Sequence, residues 1–414
     1  MKNTLKIKTF QNLPSSLRSL SGRILAIFKQ QDVRATEDVV GVNHFNPGEQ
    51  LSKRALLVMS PQAWFNALRQ HPNIKMFNFN GLVFETVNVL NNHKYLVDIV
   101  DYRTPRKLSD SYDLVVAHGG NCAELLDELS QETPVLQYVS GAYWPIFNEE
   151  TKERYQSFCE RRNVKESLSS RRSLDGLVEG EVKLTERANK LFSIGLPRMI
   201  SSFGAHSSKF VTTGLGAYLD HDLLIRDKDR DFKKGRKGFI YVGGTGGNIQ
   251  KGLDLLIEAF SMEPDLQLYI YCKVESEVVD YCAEFLNAPN VHYVYHLRNT
   301  AAGKRRLLEL MGKICFTVHA PINTGLGTAF SGSVGLGLIP AGYVDLPHDD
   351  SWNVLSDSWD PSDLAKIFKR ASEKSEEWCR NASNQAIQEY LSNWTAEAYH
   401  LKFDQLVSRF DESN

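Results

Sequence analysis

The clearest pattern along the chain is an alternation of short apolar runs with helical repeats between residues 238 and 345. Five runs rich in β-branched and aromatic residues predict strands, at 238–242, 266–272, 291–296, 314–318 and 338–341. Four apolar residues after the first run share one face of a predicted helix: Leu253, Leu256, Ile257 and Phe260. A second helical repeat covers 278–286. Strand–helix–strand alternation at this spacing predicts a doubly wound α/β domain with a parallel sheet.

The N-terminal half shows the same alternation less regularly. Four apolar runs predict strands, at 54–59, 95–100, 113–117 and 134–139, and a helix is predicted over 81–91. Residues 1–50 show no clean alternation, so no element is assigned there. The stretch 160–182 is dense in Arg, Ser and Glu, which is typical of a solvated helix or a mobile loop. Taken together, the strand and helix pattern of the N-terminal half predicts a second doubly wound domain.

A charged stretch at residues 226–237 marks the boundary between the two halves. Its composition is typical of an interdomain linker, either solvated or in contact with an anionic membrane surface. Near the C-terminus, apolar residues at helical spacing predict an amphipathic helix that must pack on another part of the protein. The predicted domains are therefore residues 1–230 and 236–387, and residues 388–414 are expected to form a helix that crosses back to the first domain.

Length and composition narrow the class of protein. The 414 residues suffice for two domains, and the contents of 42% hydrophobic and 24% charged residues are ordinary for a globular protein. The net charge of −2 gives no support to nucleic-acid binding through a basic surface. No apolar run is long enough for a membrane-spanning helix, and the N-terminus lacks the pattern of a secretory signal. The six cysteines are scattered, so we expect reduced thiols, no metal site and a cytoplasmic location.

The most informative segment follows the 238–242 run. A glycine-rich turn comes first, made of Gly243, Gly244, Thr245, Gly246 and Gly247. Glycines let the backbone approach a ligand and direct its N–H groups at an anion, and Lys251 stands at the start of the next helix, whose dipole favours negative charge. The pattern predicts a diphosphate site. It is not a P-loop, because no Gly-Lys-Ser/Thr ends it. The alternative is a glycine-rich turn that binds no ligand.

Residues 241–260, with the glycine turn, Lys-Gly and Leu-Leu-Ile-Glu-Ala-Phe, resemble the start of the donor domain in GT-B glycosyltransferases. A second match covers 320–340, and weaker ones occur at 80–85 and 138–145. The nearest resemblance is to the family 4, or group 1, type of bacterial cell-surface polysaccharide synthesis. It implies two Rossmann-like domains facing across a cleft and a nucleotide-sugar donor with its diphosphate on Lys251. No metal or other cofactor is expected, because a lysine and a helix N-terminus can stabilise the departing diphosphate.

The second match departs from this family at two positions. Members usually carry two glutamates that hold the donor, and here those positions align with Thr324 and Gly332. Six residues are expected to bind the donor instead, through side-chain or backbone groups: Asn323, Thr324, Gly325, Ser331, Gly332 and Ser333. The departure leaves two interpretations, an enzyme with an altered donor site or a binding or assembly subunit that has lost catalysis.

The predicted acceptor site lies in the first domain. His118 directly follows the 113–117 run, and the carboxyl ends of parallel strands face the ligand crevice in such folds. We expect His118 to orient a sugar or act as a general base, the alternative being a histidine that only satisfies the turn. Glu85, Asn121 and Trp144 are candidates for acceptor binding, although a helix-dipole role for Glu85 and a core role for Trp144 are alternatives.

The combined prediction is a hexosyl-type glycosyltransferase with His118 and Lys251 as its catalytic residues. Its partners are a nucleotide-sugar donor, either UDP- or GDP-linked, and a glycan or lipid-linked acceptor. The resemblance implies retention of configuration, but the missing glutamates leave the stereochemistry open. A peripheral contact with the inner face of the membrane is the alternative to a wholly cytoplasmic location.

Overall fold

The computed structural model describes ten stretches of the chain: residues 38–70, 80–101, 111–119, 123–165, 168, 175–215, 230–243, 246–295, 301–322 and 327–412. Six predicted site residues lie outside them: Asn121, Gly244, Thr245, Asn323, Thr324 and Gly325. Within the described residues the chain forms two sheets, one of seven strands and one of six.

The first sheet has the strand order β1-β3-β2-β4-β5-β6-β7. Its strands are β1 Val39–Val42, β2 Lys53–Val58, β3 Tyr95–Val100, β4 Leu114–Ala117, β5 Val135–Tyr138, β6 Lys190–Ser193 and β7 Phe210–Thr212. The helices are α1 Pro61–Gln70, α2 Asn80–Asn92, α3 Ala123–Glu128, α4 Trp144–Arg162, α5 Val178–Arg187 and α6 Pro197–Ser202, with 3-10 turns at Asp175–Leu177 and Gly204–Lys209. All pairings are parallel except that of β1 with β3.

The second sheet is wholly parallel and has the strand order β10-β9-β8-β11-β12-β13. Its strands are β8 Gly238–Val242, β9 Gln267–Tyr271, β10 Val291–Tyr293, β11 Phe316–His319, β12 Ile339–Gly342 and β13 Val354–Leu355. The helices are α7 Phe232–Gly235, α8 Leu253–Ser261, α9 Ser276–Tyr281, α10 Ala283–Leu286, α11 Ala301–Lys313, α12 Thr328–Gly335, α13 Pro361–Ser372, α14 Glu376–Asn393 and α15 Ala396–Asp411. The strand predictions for both halves coincide with observed strands to within a few residues.

Both sheets reverse their strand order beside the first parallel strand, so the predicted doubly wound α/β class is confirmed. The reversal lies between β2 and β4 in the first sheet and between β8 and β11 in the second. Ligands of such sheets bind outside the carboxyl ends of the strands at this switch point. His118 follows β4 and Gly243 follows β8, so the fold places both predicted sites at switch points.

The C-terminal helix α15 lies against the first domain. The Tyr399 hydroxyl is 2.7 Å from that of Thr86 on α2. His93, which follows α2, has its Nε2 2.9 Å from a carboxylate oxygen of Asp404 and its Nδ1 2.8 Å from one of Asp411. The apolar face of α15 is completed by Phe403, Leu406 and Val407, all nearly inaccessible. Within the described residues, no helix has both the length and the apolar character needed to cross a bilayer.

Two stretches predicted to be solvated are partly buried. In the charged stretch, Arg230 is only 8% exposed and donates to the carbonyl oxygen of Ile314 at 3.3 Å. In the Arg-rich stretch after residue 160, Arg161 and Arg162 still belong to α4 and pair with Glu258 of the second domain. The predictions are wrong at these positions, because composition does not show which charges find a buried partner. The helix predicted over 278–286 is also interrupted, at Cys282, into α9 and α10.

Candidate functional site

The turn that carries Lys251 requires glycine for a steric reason. Gly252, at the start of α8, has a φ of +76°, and a Cβ there would lie 2.0 Å from the carbonyl oxygen of Ala320. Gly243 is also restricted, since a Cβ would lie 2.7 Å from the Tyr241 ring and 2.8 Å from the Cβ of Cys272. The Lys-Gly pair therefore places Lys251 directly before the N-cap of α8, while the residue after β11, Ala320, packs against Gly252.

The glycine turn is held by a carboxylate that the sequence analysis did not identify. Glu275, between β9 and α9, accepts hydrogen bonds from the backbone N–H groups of Gly247 at 2.9 Å and Asn248 at 2.7 Å. In return, its own N–H donates to the Asn248 side-chain oxygen at 2.7 Å. The N–H of Gly247 is thus used within the chain and is not free to meet an anion. No local sequence signal marks Glu275, because its partners lie in another loop.

His319, the last residue of β11, is a second residue that the sequence analysis missed. It is 4% exposed, and its ring is stacked on that of Phe330 at 5.4 Å and tilted on that of Tyr241 at 5.8 Å. Burial and the nearby Lys251 ammonium lower its pKa to about 3, so the ring is neutral at pH 7. No described residue offers its Nδ1 a hydrogen-bond partner.

The residues expected to bind the donor from α12 are buried. Ser331, Gly332 and Ser333 all lie in the inaccessible part of this helix. The Ser333 hydroxyl donates to the carbonyl oxygen of Phe330 at 2.6 Å and lies 2.8 Å from the hydroxyl of Thr317 on β11. These contacts occupy the Ser333 hydroxyl between α12 and the sheet, so it is not available to a donor in the cleft.

At the switch point of the first sheet, the side chains of His118 and Trp144 are in contact. The Nε2 of His118 lies 2.9 Å from the Ser140 hydroxyl, and its ring meets that of Trp144 edge-on at 6.2 Å. Burial lowers the pKa of His118 to about 4, which leaves it neutral at pH 7. Trp144 begins α4 and is 6% exposed, so it packs as a buried ring beside the histidine.

A buried carboxyl, Glu181, completes this group. It lies in the first turn of α5 and is 3% exposed. A Cβ on Gly119 would lie 2.5 Å from its Oε2, so the carboxyl packs directly against the backbone that follows His118. Burial raises the pKa of Glu181 to about 8, although a hydrogen bond from Gln137 opposes the shift. At pH 7 a neutral imidazole and a protonated carboxyl therefore lie at one strand end, a combination suited to hydrogen bonding an acceptor hydroxyl.

Glu85 contacts the C-terminal helix. Its carboxylate is 2.8 Å from the Nδ1 of His400 on α15 and also accepts from the Asn88 amide at 3.1 Å. The structure therefore gives Glu85 a role in docking the C-terminal helix, and its acceptor-binding role stays a prediction.

The two candidate sites are joined by α4. Arg154 of this helix forms a fully buried ion pair with Asp254 in the first turn of α8. Arg161 pairs with Asp254 and with Glu258, each at 2.7 Å. Because α4 begins at Trp144 and α8 follows Lys251, one helix of the first domain contacts both candidate sites.

Among the described residues, no group of three His, Cys, Asp or Glu side chains is arranged to hold a metal ion. No protein-family model matches the sequence, and a search of curated proteins gave no match. Among solved structures, the chain is similar to HepE of Anabaena in complex with UDP, with 12% identity and a TM-score of 0.52 over 86% of this chain and 100% of that chain.

HepE of Anabaena in complex with UDP and glucose also matches, with 12% identity and a TM-score of 0.50 over 86% of this chain and 99% of that chain. The complex of HepE with UDP-glucose matches with the same identity and TM-score, over 86% of this chain and 100% of that chain. At this identity the likeness shows the fold alone. The expected GT-B arrangement of two Rossmann-like domains is thereby confirmed.

Proposed function

We propose that the protein is a glycosyltransferase that moves a sugar from a nucleotide-sugar donor to an acceptor hydroxyl. The observation that carries the proposal is the placement of Lys251 directly before the N-cap residue of α8, beside the switch point of the second sheet. A lysine and a helix N-terminus together favour a bound diphosphate. The similar HepE structures hold UDP or UDP-glucose, which supports a nucleotide-sugar as the ligand.

In the proposed reaction, the bond between the sugar and the diphosphate breaks, and the acceptor oxygen forms the new bond to the same carbon. The proton of the acceptor hydroxyl passes to the neutral His118 imidazole if the configuration inverts, and to the departing diphosphate if it is retained. Lys251 stabilises the negative charge that develops on the departing diphosphate, so the step needs no metal ion. His118 and the Glu181 carboxyl hydrogen bond the acceptor hydroxyl at the other switch point. The proposed donor residues are Gly243, Gly246, Lys251 and the neighbouring loops, whereas Ser333 is not included, because its hydroxyl is engaged within the domain.

The finer assignments are proposals that rest on the family resemblance. They are transfer of a hexose from UDP or GDP, an acceptor that is a glycan or a lipid-linked sugar, and a role in surface polysaccharide synthesis. A cytoplasmic location with peripheral contact at the inner face of the membrane fits such an acceptor.

The test is to replace Lys251 by Ala and to measure the affinity for UDP, GDP and their sugars by calorimetry, together with transfer or hydrolysis. Loss of a charged contact to the diphosphate should weaken binding by roughly tenfold or more. Lys366→Ala is the matched control, because Lys366 is 75% exposed and pairs with Asp363 on its own helix in the same domain. Equal affinity and turnover in wild type and Lys251→Ala would refute the diphosphate assignment.

A second candidate function is a binding or assembly subunit without catalysis. It is favoured by the absence of any acidic residue from 311 to 344, where the family places its two glutamates. The same experiment separates the two functions, since a binding subunit would bind a nucleotide sugar or another ligand but show neither transfer nor hydrolysis with any donor in the panel.

A further inference from the structure

His319 ends β11, the strand next to the one that leads into the glycine turn. β11 runs parallel to β8, with Phe316 opposite Phe239 and Thr317 opposite Ile240. If this register continues for two more residues, His319 lies opposite Val242, the residue before the glycine turn. The next residue, Ala320, packs its carbonyl oxygen against Gly252, so His319 also lies beside the turn that carries Lys251.

The His319 ring is held firmly, and one of its nitrogens is left without a partner. Two aromatic rings, those of Tyr241 and Phe330, enclose it, and only 4% of the residue is exposed. Its Nδ1 finds no hydrogen-bond partner among the described residues. Buried polar atoms are paired in nearly all native proteins, and an unpaired one carries a free-energy penalty, so it indicates a group that is supplied from outside the chain.

The protonation state of His319 and the charge of Lys251 indicate which kind of group would pair with Nδ1. The ring is neutral at pH 7, because burial and the Lys251 ammonium lower its pKa to about 3. A neutral imidazole can present an N–H to an oxygen atom, and an anionic oxygen is favoured here because Lys251 is the charged neighbour. No acidic side chain between 311 and 344 competes for this N–H.

We propose that His319 binds the donor, with its Nδ1–H donating a hydrogen bond to a diphosphate oxygen beside Lys251. The inference rests on the proposed function and deepens it by naming a residue that takes over part of the donor binding lost with the two family glutamates. His319 supplies an uncharged contact, and Lys251 supplies the charge. No proton is transferred, since the ring stays neutral before and after binding.

The test compares three substitutions of His319 by calorimetry with UDP and GDP as probes. His319→Phe keeps the ring shape but removes both nitrogens and should weaken binding about tenfold. His319→Asn places an amide nitrogen near the position of Nδ1 and should restore affinity to within a few-fold of wild type. His319→Gln reaches the position of Nε2 instead and should bind as weakly as the Phe variant. His292→Phe is the control, because His292 lies on β10 of the same domain and bonds to Gln267.

Three outcomes overturn the inference. The first is a folded His319→Phe variant that binds UDP and GDP as tightly as wild type. The second is rescue by Gln and not by Asn, which would assign the contact to Nε2. The third is a wild-type protein that binds neither nucleotide, which would remove the proposed function as well. Lost binding in Lys251→Ala with unchanged binding in His319→Phe would refute only the His319 assignment and leave the proposed function intact.

A direct readout on the wild-type protein covers the case in which the variants do not fold. With nitrogen-labelled histidine, the Nδ1 resonance of His319 should move on addition of the bound nucleotide, with the Nδ1 proton retained. A resonance that stays unchanged at saturation would contradict the proposal without any substitution.

Discussion

At the scale of single residues, the unusual feature is a carboxyl group buried beside His118. Glu181 is 3% exposed, and its Oε2 lies against Gly119. Proteins retain such a group where its protonation is used, because burial of an ionised carboxylate is costly. The raised pKa of Glu181 has a measurable consequence for stability.

Glu181→Gln should stabilise the fold at alkaline pH and have little effect at acidic pH. Burial raises the pKa of Glu181 from 4.5 to about 8, so its contribution to stability is fully present below pH 4.5 and is lost as the pH rises towards 8. The Gln variant stays neutral at every pH and avoids this loss. Its free energy of unfolding should therefore exceed that of wild type by up to a few kcal/mol at about pH 8. Urea unfolding at about pH 5 and pH 8 measures the difference.

Glu179→Gln is the control for this prediction, because Glu179 lies on the same helix with 81% of its side chain exposed. Its stability difference from wild type should not grow with pH. An equal difference at both pH values for Glu181→Gln would mean that the carboxyl is already ionised in the folded protein.

At the scale of elements, the turn that leads into α8 needs a glycine for steric reasons and also carries the lysine of the candidate diphosphate site. Gly252 lets the chain turn with positive φ while the Ala320 carbonyl lies against it, and Lys251 precedes it directly. The N–H of Lys251 also donates to the carbonyl oxygen of Gly247 at 2.9 Å, which ties the lysine to the glycine turn. A change at Gly252 should therefore affect both stability and nucleotide binding.

Gly252→Ala should destabilise the protein by about 3 kcal/mol or more, because the new Cβ meets a backbone oxygen and the φ is unfavourable for alanine. Nucleotide affinity should fall as well, since the turn must move. The control is Gly176→Ala, where no atom lies within 4 Å of the new Cβ; it should change stability by less than about 0.5 kcal/mol. Urea unfolding and UDP calorimetry report the two effects. A Gly252→Ala protein with wild-type stability would show that the backbone at Ala320 can move away from the new Cβ at little cost in free energy.

At the scale of the whole molecule, the two domains are joined by buried charge as well as by the chain. Arg154 and Asp254 are both inaccessible, and Arg154 also lies over the Trp359 ring of the second domain. A further contact comes from Asp345, whose carboxylate accepts from the backbone N–H groups of Arg198 at 2.9 Å and of Met199 at 3.1 Å. These contacts predict that the domains unfold together.

Asp254→Ala should destabilise the protein by about 3–5 kcal/mol, because it leaves Arg154 charged, buried and without its partner. Calorimetry should show one transition for wild type and two separated transitions for the variant, as the domains lose their coupling. Asp280→Ala on the exposed face of α9 is the control and should keep one transition. The double variant Arg154→Ala/Asp254→Ala should lose less stability than the sum of the single variants. Additive losses would show that the pair is not coupled.

The sequence by itself determined the strands, the doubly wound class and the strand-end positions of Gly243 and His118. The strands of parallel sheets are buried on both faces, so they appear as continuous apolar runs such as 95–100, which became β3 Tyr95–Val100. A residue directly after such a run lies at the crevice wherever the strand packs, so local pattern suffices to place it.

Tertiary structure alone decided which polar groups are buried and what they contact. Glu275 meets the glycine turn across 28 residues of chain, and Arg154 meets Asp254 across 100. The burial of the His319 Nδ1, which has no partner among the described residues, and the raised pKa of Glu181 likewise arise because distant elements enclose them. Local periodicity carries no information about such pairs, since the free energy of a buried polar group depends on its solvent exposure and its partner rather than on its neighbours in sequence.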